Sequence, residues 1–233
     1  MRILAVGDVE EALLHEHYRP ERWQGPHKID LLLSCGDLDT EYLDFLITVF
    51  QVPGYYVAGN HDTSYETAPP AGWDNLDGRL ITFQGVRIAG LAGCMRYTQE
   101  KQAYQYTEAQ MTRKAWRLRP ALWRAGGADI FISHAAPVIC PVAYNPCASP
   151  AGGERPCTHP DLPGHLLTCP DMPDPCHRGF AAFRRALDSY QPRYWLHGHN
   201  HLSYARSKRV QQVGPTSVIN VYGHTVIEIA THG

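Results

Sequence analysis

A series of short apolar runs, each bounded by Gly, Asp, Asn or His, constrains the fold most strongly. Runs of this length bounded by turn-forming residues are typical of buried strands. Five predicted strands are Ile3–Val6, Leu31–Cys35, Tyr55–Val57, Ile130–Ser133 and Tyr194–His197. Two further runs flank Gln84-Gly85 and predict a hairpin: Leu80–Phe83 and Val86–Gly90. A second pair of strands is predicted near the C-terminus, at Val218–Val221 and Thr225–Ile229.

Helical patterns lie between these strands. Apolar residues recur at spacings of three and four after Tyr42 and again after Met111, and Phe180, Phe183 and Leu187 mark a third helix. The second helix carries a capping-box signal, because Thr107 is followed three residues later by Gln110. Strands that alternate with helices predict an α/β fold with a largely parallel sheet.

The composition describes an ordinary globular chain. It has 233 residues, 44% of them hydrophobic, and a formal net charge of -2, which suits one domain over residues 1–233. No long basic run is present, so no dedicated nucleic-acid surface is expected. No apolar run approaches the ~18 residues of a membrane helix, and no signal peptide is evident. We therefore expect a cytoplasmic protein without membrane contact, whose oligomeric state the sequence leaves open.

One segment interrupts the alternation of strands and helices. Residues 137–176 contain ten Pro and five Cys and follow no periodicity, which predicts a long irregular insertion. The chain has seven Cys in all, an odd number that cannot pair completely within one chain. Free thiols, a structural zinc and a disulfide-linked loop are the alternatives, and the functional hypothesis is a lid that limits substrate size.

Polar side chains follow five of the predicted strands at their carboxyl ends. Asp8, Asp37, Asn60, His134 and the run His197-Gly198-His199-Asn200-His201 each come directly after an apolar run. In an open α/β sheet these ends share one edge, where ligands bind, so the groups are expected to converge. Carboxylate, imidazole and amide oxygen together suit divalent Mn, Fe, Zn or Ni. There are too many ligands for one tetrahedral ion, and a carboxylate can bridge two ions.

These blocks resemble the signature of the calcineurin-like metallophosphoesterase superfamily. The matching segments are Asp8, Gly36-Asp37, Gly59-Asn60-His61-Asp62, His134 and Gly198-His199-Asn200-His201. The resemblance implies a two-sheet β sandwich flanked by helices, with Asp37 bridging two ions. It further implies that Asp8 and His201 bind the first ion and that Asn60, His134 and His199 bind the second, with Asn60 also beside the substrate.

The first block departs from the family pattern. Asp-x-His is usual there, and this chain has Asp8-Val9-Glu10. Glu10 could replace the missing His as a ligand, which would add negative charge and favour a hard ion such as Mn. Alternatively, Glu10 turns away and leaves the first site weaker. We expect Glu10 to be a direct or water-mediated ligand.

The expected reaction is hydrolysis of a phosphoric ester by a hydroxide that bridges the two ions. His61 would stabilise or protonate the leaving group, with Asp39 or Asp62 orienting it. Arg96 is a candidate phosphate clamp, since a guanidinium group matches phosphate in a bidentate way, and His177 resembles a substrate-side element of relatives.

We expect a small phosphoester substrate, of the phosphodiester or small nucleotide type. Protein phosphatases of the superfamily carry an Arg soon after the Gly-Asp block, whereas Thr40-Glu41-Tyr42 follow it here. One alternative is a nuclease, which would need a basic groove. Another is a catalytically weak metal-binding scaffold, although scaffolds tend to lose His61 or several ligands and here only Glu10 deviates.

Overall fold

The computed structural model describes residues 1–139, 177, 179–202 and 209–230. The helices in this part are α1 (Thr40–Phe50), α2 (Glu108–Ala125) and α3 (Ala181–Tyr190), with short 3-10 turns at Pro20–Trp23, Gly25–His27 and Thr63–Glu66. The first strands are β1 (Arg2–Gly7), β2 (Leu31–Ser34), β3 (Gly54–Tyr56), β4 (Trp73–Asn75), β5 (Leu80–Phe83), β6 (Val86–Leu91) and β7 (Cys94–Met95). The later strands are β8 (Gln105–Tyr106), β9 (Ile130–Ser133), β10 (Tyr194–His197), β11 (Val210–Val213), β12 (Thr216–Asn220) and β13 (Gly223–Glu228).

The strands form two large sheets and one small one. The first sheet has the order β13-β1-β2-β3-β4, and the second has the order β11-β12-β10-β9-β6-β5. The small sheet consists of β7 and β8. Neighbouring strands in the middle of each large sheet are parallel, and antiparallel pairs occur at the edges formed by β13, β11 and β5. The expected α/β fold of two sheets flanked by helices is confirmed.

Alternation of side chains along the strands divides the core into two layers. In β9, Ile130 and Ile132 join a cluster with residues of the first sheet, such as Leu33. Phe131, between them, points the other way and packs in a second cluster with Phe183 of α3. Successive strand residues face opposite sides of a sheet, so one face of the second sheet contacts the first sheet and the other face is covered by α2 and α3.

The predicted helices and most predicted strands are present within a residue or two. The capping box is also present, since the side chain of Thr107 accepts from the backbone of Gln110 and the side chain of Gln110 accepts in return. The pairing predicted for the C-terminal strands was wrong. β12 pairs with β10 and β11, whereas β13 pairs with β1 in the other sheet. Gly223, with a φ of 76°, lies at the crossing between the sheets.

The predicted insertion is largely outside the described residues. The structure describes Pro137 to Ile139, and Pro137 forms a parallel bridge with Phe180 at the start of α3. The five cysteines of the insertion and the proposed lid fall in residues 140–176. Among the residues described, no helix combines the length and apolar character needed to cross a membrane.

Candidate metal centre

The polar groups predicted to share one sheet edge come together from two sheets. In the first sheet, the loops after β1, β2 and β3 contain Asp8, Asp37 and Asn60, respectively. In the second sheet, His134 follows β9 and His199 follows β10. The strand ends thus converge as expected, with both sheets contributing ligands. The imidazole Nδ1 of His134 lies 2.8 Å from the carbonyl oxygen of Cys35, which joins the two sheets at this point.

His134 is the centre of the site. Its side chain is fully buried, and its Nδ1–H donates to the carbonyl oxygen of Cys35, which leaves Nε2 to face the other polar groups. Nε2 lies 3.2 Å from Oδ2 of Asp37 and 3.1 Å from Oδ1 of Asn60. The ring of His199 packs beside it, with the ring centroids 4.8 Å apart.

The electrostatics of this cluster favour a cation. Burial would lower the pKa of His134, but the charge of Asp37, the hydrogen bond between them and the charge of Asp8 raise it to about 9. Burial would raise the pKa of Asp37, but the charge and hydrogen bond of His134 lower it to about 2. The proton on Nε2 of His134 thus faces the carboxylate oxygen of Asp37 and the amide oxygen of Asn60. Oxygens of both kinds bind divalent metals in proteins.

Asp8 and His199 are joined by a hydrogen bond, and both have a positive φ. The backbone N–H of His199 donates to Oδ1 of Asp8 over 2.7 Å. Asp8, Asp37 and His199 all have left-handed φ values, of 65°, 57° and 66°. Such angles cost energy in residues other than Gly and persist where the surroundings fix them, often at functional sites. Burial raises the pKa of Asp8 to about 6, and its Oδ2 is buried with no hydrogen-bond partner among the described residues.

Two glycines make room for these side chains. A Cβ on Gly59 would lie 2.1 Å from Oδ1 of Asp37 and 2.6 Å from Cε1 of His134. A Cβ on Gly198 would lie 2.5 Å from Oδ2 of Asp8. Carbon atoms do not approach this closely, so these two positions need glycine for the carboxylates to lie where they do.

Asp62 positions Asp37, and no hydrogen bond joins it to the ring of His61 in the described part of the chain. Its buried Oδ2 accepts from the backbone N–H of Asp37 over 2.8 Å and of Gly59 over 2.7 Å. Burial raises the pKa of Asp62 to about 6. The predicted orientation of His61 by Asp62 is thus not what the contacts show, because the carboxylate is engaged by backbone amides.

His61 and Asp39 are both exposed. The backbone N–H of His61 donates to Oδ1 of Asp37 over 2.8 Å, and the charge of His61 acts on the Asp37 carboxylate. Asp39 precedes α1, and its side chain makes no capping hydrogen bond. Within the described part of the chain, no hydrogen bond joins Asp39 to His61, so the structure brings only His61 of this pair to the site.

Three predicted ligands lie outside the central group of carboxylate and imidazole ligands: Asp8, Glu10 and His201. Glu10 is exposed, and its charge acts on the hydroxyl of Tyr42, whose pKa burial raises to about 12. His201 is half-buried, its ring centroid is 5.0 Å from that of Tyr222, and burial lowers its pKa. The ligand atoms that lie within 4.8 Å of one another belong to Asp37, His134 and His199.

The predicted substrate contacts have mixed placements. The guanidinium of Arg96 donates to the carbonyl of Gln105 over 3.4 Å and to the side chain of Gln110 over 3.3 Å, so it braces the start of α2. His177 lies at the site, with its ring stacked on that of His199 at a centroid distance of 4.8 Å.

Sequence reasoning missed Tyr97 as a site residue. Its hydroxyl accepts from Nδ2 of Asn60 over 3.4 Å, and its ring is 48% exposed. This contact turns Oδ1 of Asn60 toward His134. The buried side chain of Gln105 holds the Tyr97 loop in place, since its Oε1 lies 3.4 Å from the backbone N of Tyr97 and 2.9 Å from Oγ1 of Thr98. No sequence pattern of hydrophobicity signals such a contact.

A family model described as calcineurin-like phosphoesterase matches residues 1–203. The chain belongs to the calcineurin-like phosphoesterase family. Members of this family are mainly metal-dependent phosphoesterases that use divalent ions. The search of curated proteins found no match.

Two solved structures have a fold similar to that of this chain. The crystal structure of TT1561 of Thermus thermophilus has a TM-score of 0.57 at 14% identity and covers 95% of this chain and 89% of its own. Phosphopantetheinyl Hydrolase (PptH) from Mycobacterium tuberculosis has a TM-score of 0.50 at 16% identity and covers 94% of this chain and 88% of its own.

The site residues of this chain fit the divalent ions that its family uses. Asp37, His134 and His199 offer three ligand atoms from different strand ends within 4.8 Å of one another. Asp8 adds a buried carboxylate oxygen that no donor in the described part of the chain satisfies. Buried charges in proteins are normally paired or coordinate metals, and the donor set of carboxylate, imidazole and amide suits first-row divalent ions.

Proposed function

We propose that this chain hydrolyses phosphoric esters, of the diester or small nucleotide type, with two divalent ions held at the candidate metal centre. The observation that supports this most is the preformed donor group of Asp37, Asn60, His134 and His199, with the unpartnered oxygen of Asp8 nearby. We propose Mn as the preferred ion, because the carboxylate and amide oxygens are hard donors.

Each residue of the proposed centre has a separate task. Asp37 would bridge the two ions, since its Oδ2 faces His134 while Oδ1 is fixed by the backbone of His61. Asn60, His134 and His199 would hold one ion, and Asp8 and His201 would hold the other. Divalent ions bound there neutralise charge on the phosphoryl group and lower the pKa of bound water.

His61 is the proposed acid at the rim. Its side chain is exposed and its backbone N–H donates to Asp37, so from this position the ring would donate a proton to the leaving oxygen of a bound ester. A positioned acid of this kind contributes about 10²–10⁴-fold to the rate. Asp62 contributes indirectly, because it fixes the backbone that carries both Asp37 and the Gly59-Asn60 turn.

Glu10 is the least supported of the proposed ligands. It is exposed and outside the central donor group, so a role for it is confined to a water-mediated contact at the first ion. Arg96, which braces α2, would reach a substrate only by giving up that contact. His177, stacked on His199, is the better placed of the two proposed substrate contacts.

The test is hydrolysis of bis-(p-nitrophenyl) phosphate and p-nitrophenyl phosphate by metal-stripped protein after addition of Mn. We expect turnover to require the ion, to favour the diester and to fall about 10²-fold or more in His61→Ala. The matched control is His17→Ala, because His17 is an exposed histidine outside the set of proposed ligands, and it should keep wild-type rates.

Two alternative functions predict different outcomes of this test. A metal-binding scaffold would bind ions yet give no turnover with either ester under Mn, Fe, Ni, Zn or Mg. A nuclease would cleave oligonucleotides faster than the small diester. Failure to bind any divalent ion would overturn the proposal.

A further inference from the structure

The outward face of α2 carries two tryptophans that the fold leaves in solvent. The side chain of Trp116 is 66% exposed and that of Trp123 is 85% exposed. Seven residues apart, they project from the same face of the helix about 10.5 Å from each other along its axis. The opposite face of α2 is the one that packs in the core, through Met111, Leu118 and Leu122, so core packing does not explain the tryptophans.

The same face is strongly basic. From residue 109 to residue 126 the chain contains five basic residues and no acidic one, although the whole protein has a net charge of -2. The basic residues are Arg113, Lys114, Arg117, Arg119 and Arg124. Lys114 is used within the fold, in an ion pair of 2.7 Å with Asp77. The four arginines are exposed and make no ion pair with any residue that the structure describes.

The surroundings of this face add apolar surface, and the acidic Asp188 of α3 is already paired with Arg184. A groove of about 590 Å³ between α2 and α3 runs beside the tryptophans and is lined in part by Pro120, Ala182 and Ala186. Glu108, the acidic residue of α2, accepts from the backbone of Ala181 and Ala182 at the start of α3. The partner that complements this face is therefore anionic and offers an apolar layer for the indole rings.

We propose that the Trp–Arg face of α2 (Arg113, Trp116, Arg117, Arg119, Trp123 and Arg124) binds the surface of an anionic lipid membrane. A membrane interface meets both requirements at once. Tryptophan rings are favoured at the level of the lipid headgroups, and helices that lie in the interface combine such rings with basic residues. Anionic headgroups attract each basic residue with about a fivefold gain in affinity.

Surface binding of this kind needs no segment that spans the bilayer. The sequence-based expectation of no membrane contact depended on the lack of such a segment and did not address a helix face. The proposed metal ligands lie at the strand ends and none of them is on α2, so changes at the Trp–Arg face leave the site residues unaltered.

The test uses sedimentation of the full chain with sucrose-loaded vesicles. Vesicles of phosphatidylcholine with about 30% phosphatidylserine are compared with vesicles of phosphatidylcholine alone. We expect binding to be at least tenfold tighter to the anionic vesicles and to weaken strongly in 0.5 M NaCl, since salt screens exposed charges. Tryptophan fluorescence should shift to the blue on binding.

Substitutions test whether vesicle binding depends on the Trp–Arg face. Trp116→Ala with Trp123→Ala should weaken binding about tenfold or more, and Arg119→Gln with Arg124→Gln should remove most of the preference for anionic lipid. Val210→Ala, at another exposed apolar side chain (54% exposed), should bind as the wild type does. Unfolding by urea verifies that each variant is folded.

Three results would overturn the proposal. They are no sedimentation with anionic vesicles, equal binding to both vesicle types, and binding that survives the tryptophan changes. Self-association that depends on the tryptophans without vesicle binding, seen by light scattering, would instead assign the face to a second copy of the chain. Binding of an oligonucleotide without vesicle binding would assign it to nucleic acid.

Discussion

Raising the pH should destabilise the metal-free protein through His134. The pKa of this histidine is about 9 in the folded chain and 6.5 as the ordinary value. Because folding raises the pKa, the stabilisation is fully present below pH 6.5 and is lost as the pH rises through 9. The difference corresponds to about 3 kcal/mol, of which most should be lost between pH 7 and pH 9.

The other shifted groups of the site titrate outside this window. The pKa of Asp8 and of Asp62 is about 6, and burial lowers that of His197 to about 4. Burial of Cys35 raises its pKa above the ordinary 9, so its effect begins only above that pH. The loss between pH 7 and 9 is therefore assigned to His134.

Urea unfolding in EDTA, at half-unit steps from pH 6.5 to 9, measures this loss directly. Since a cation takes the place of the proton on Nε2, Mn binding at pH 7.5 should release about one proton. Calorimetric titration in buffers of different ionisation enthalpy measures that release. His134→Gln should remove both effects, whereas His17→Gln should keep them. Stability that is flat or rises between pH 7 and 9, or Mn binding without proton release, would refute the reasoning.

Three substitutions test the rest of the centre. Gly59→Ala places a methyl group against the ligand carboxylate and should lower Mn affinity and turnover at least 10²-fold, seen by metal titration. Asp62→Asn should reduce turnover by tenfold or more because a weaker acceptor faces two backbone donors, whereas the exposed Asp39→Asn should change it by less than twofold. Tyr97→Phe loses the hydroxyl that holds Asn60 and should lower Mn affinity severalfold with little change in urea unfolding; an unchanged Mn affinity would exclude this positioning role.

Hydrophobic patterning located the three helices and nine of the thirteen strands in the described part of the chain, but it missed β4, β7, β8 and β11. Strand ends that deliver Asp8, Asp37 and His134 can be located in the sequence, because apolar runs and polar termini are local features. The assignment of strands to two sheets depends on long-range pairing, as the separation of β12 from β13 shows. Local hydrophobic patterns do not indicate which strands pair with each other.

The hydrogen bonds that support the site residues could not be predicted from hydrophobic patterning. Asp62 lies beside His61 in sequence, which suggested a contact with that ring, but its carboxylate accepts from backbone amides brought together by the fold. Glu10 stands where the family has a ligand, yet its side chain is exposed. A motif fixes which residues are near a site, and the geometry of each side chain depends on neighbours that are distant in sequence.

The most direct test of the two-ion centre is anomalous diffraction at the Mn edge from crystals of the full chain grown with Mn. We expect two peaks about 3.5–4 Å apart, one of them bound by Nε2 of His134 and Oδ1 of Asn60 and the other by Oδ2 of Asp8, with the carboxylate of Asp37 between them. A single peak, or peaks away from these atoms, would contradict the account.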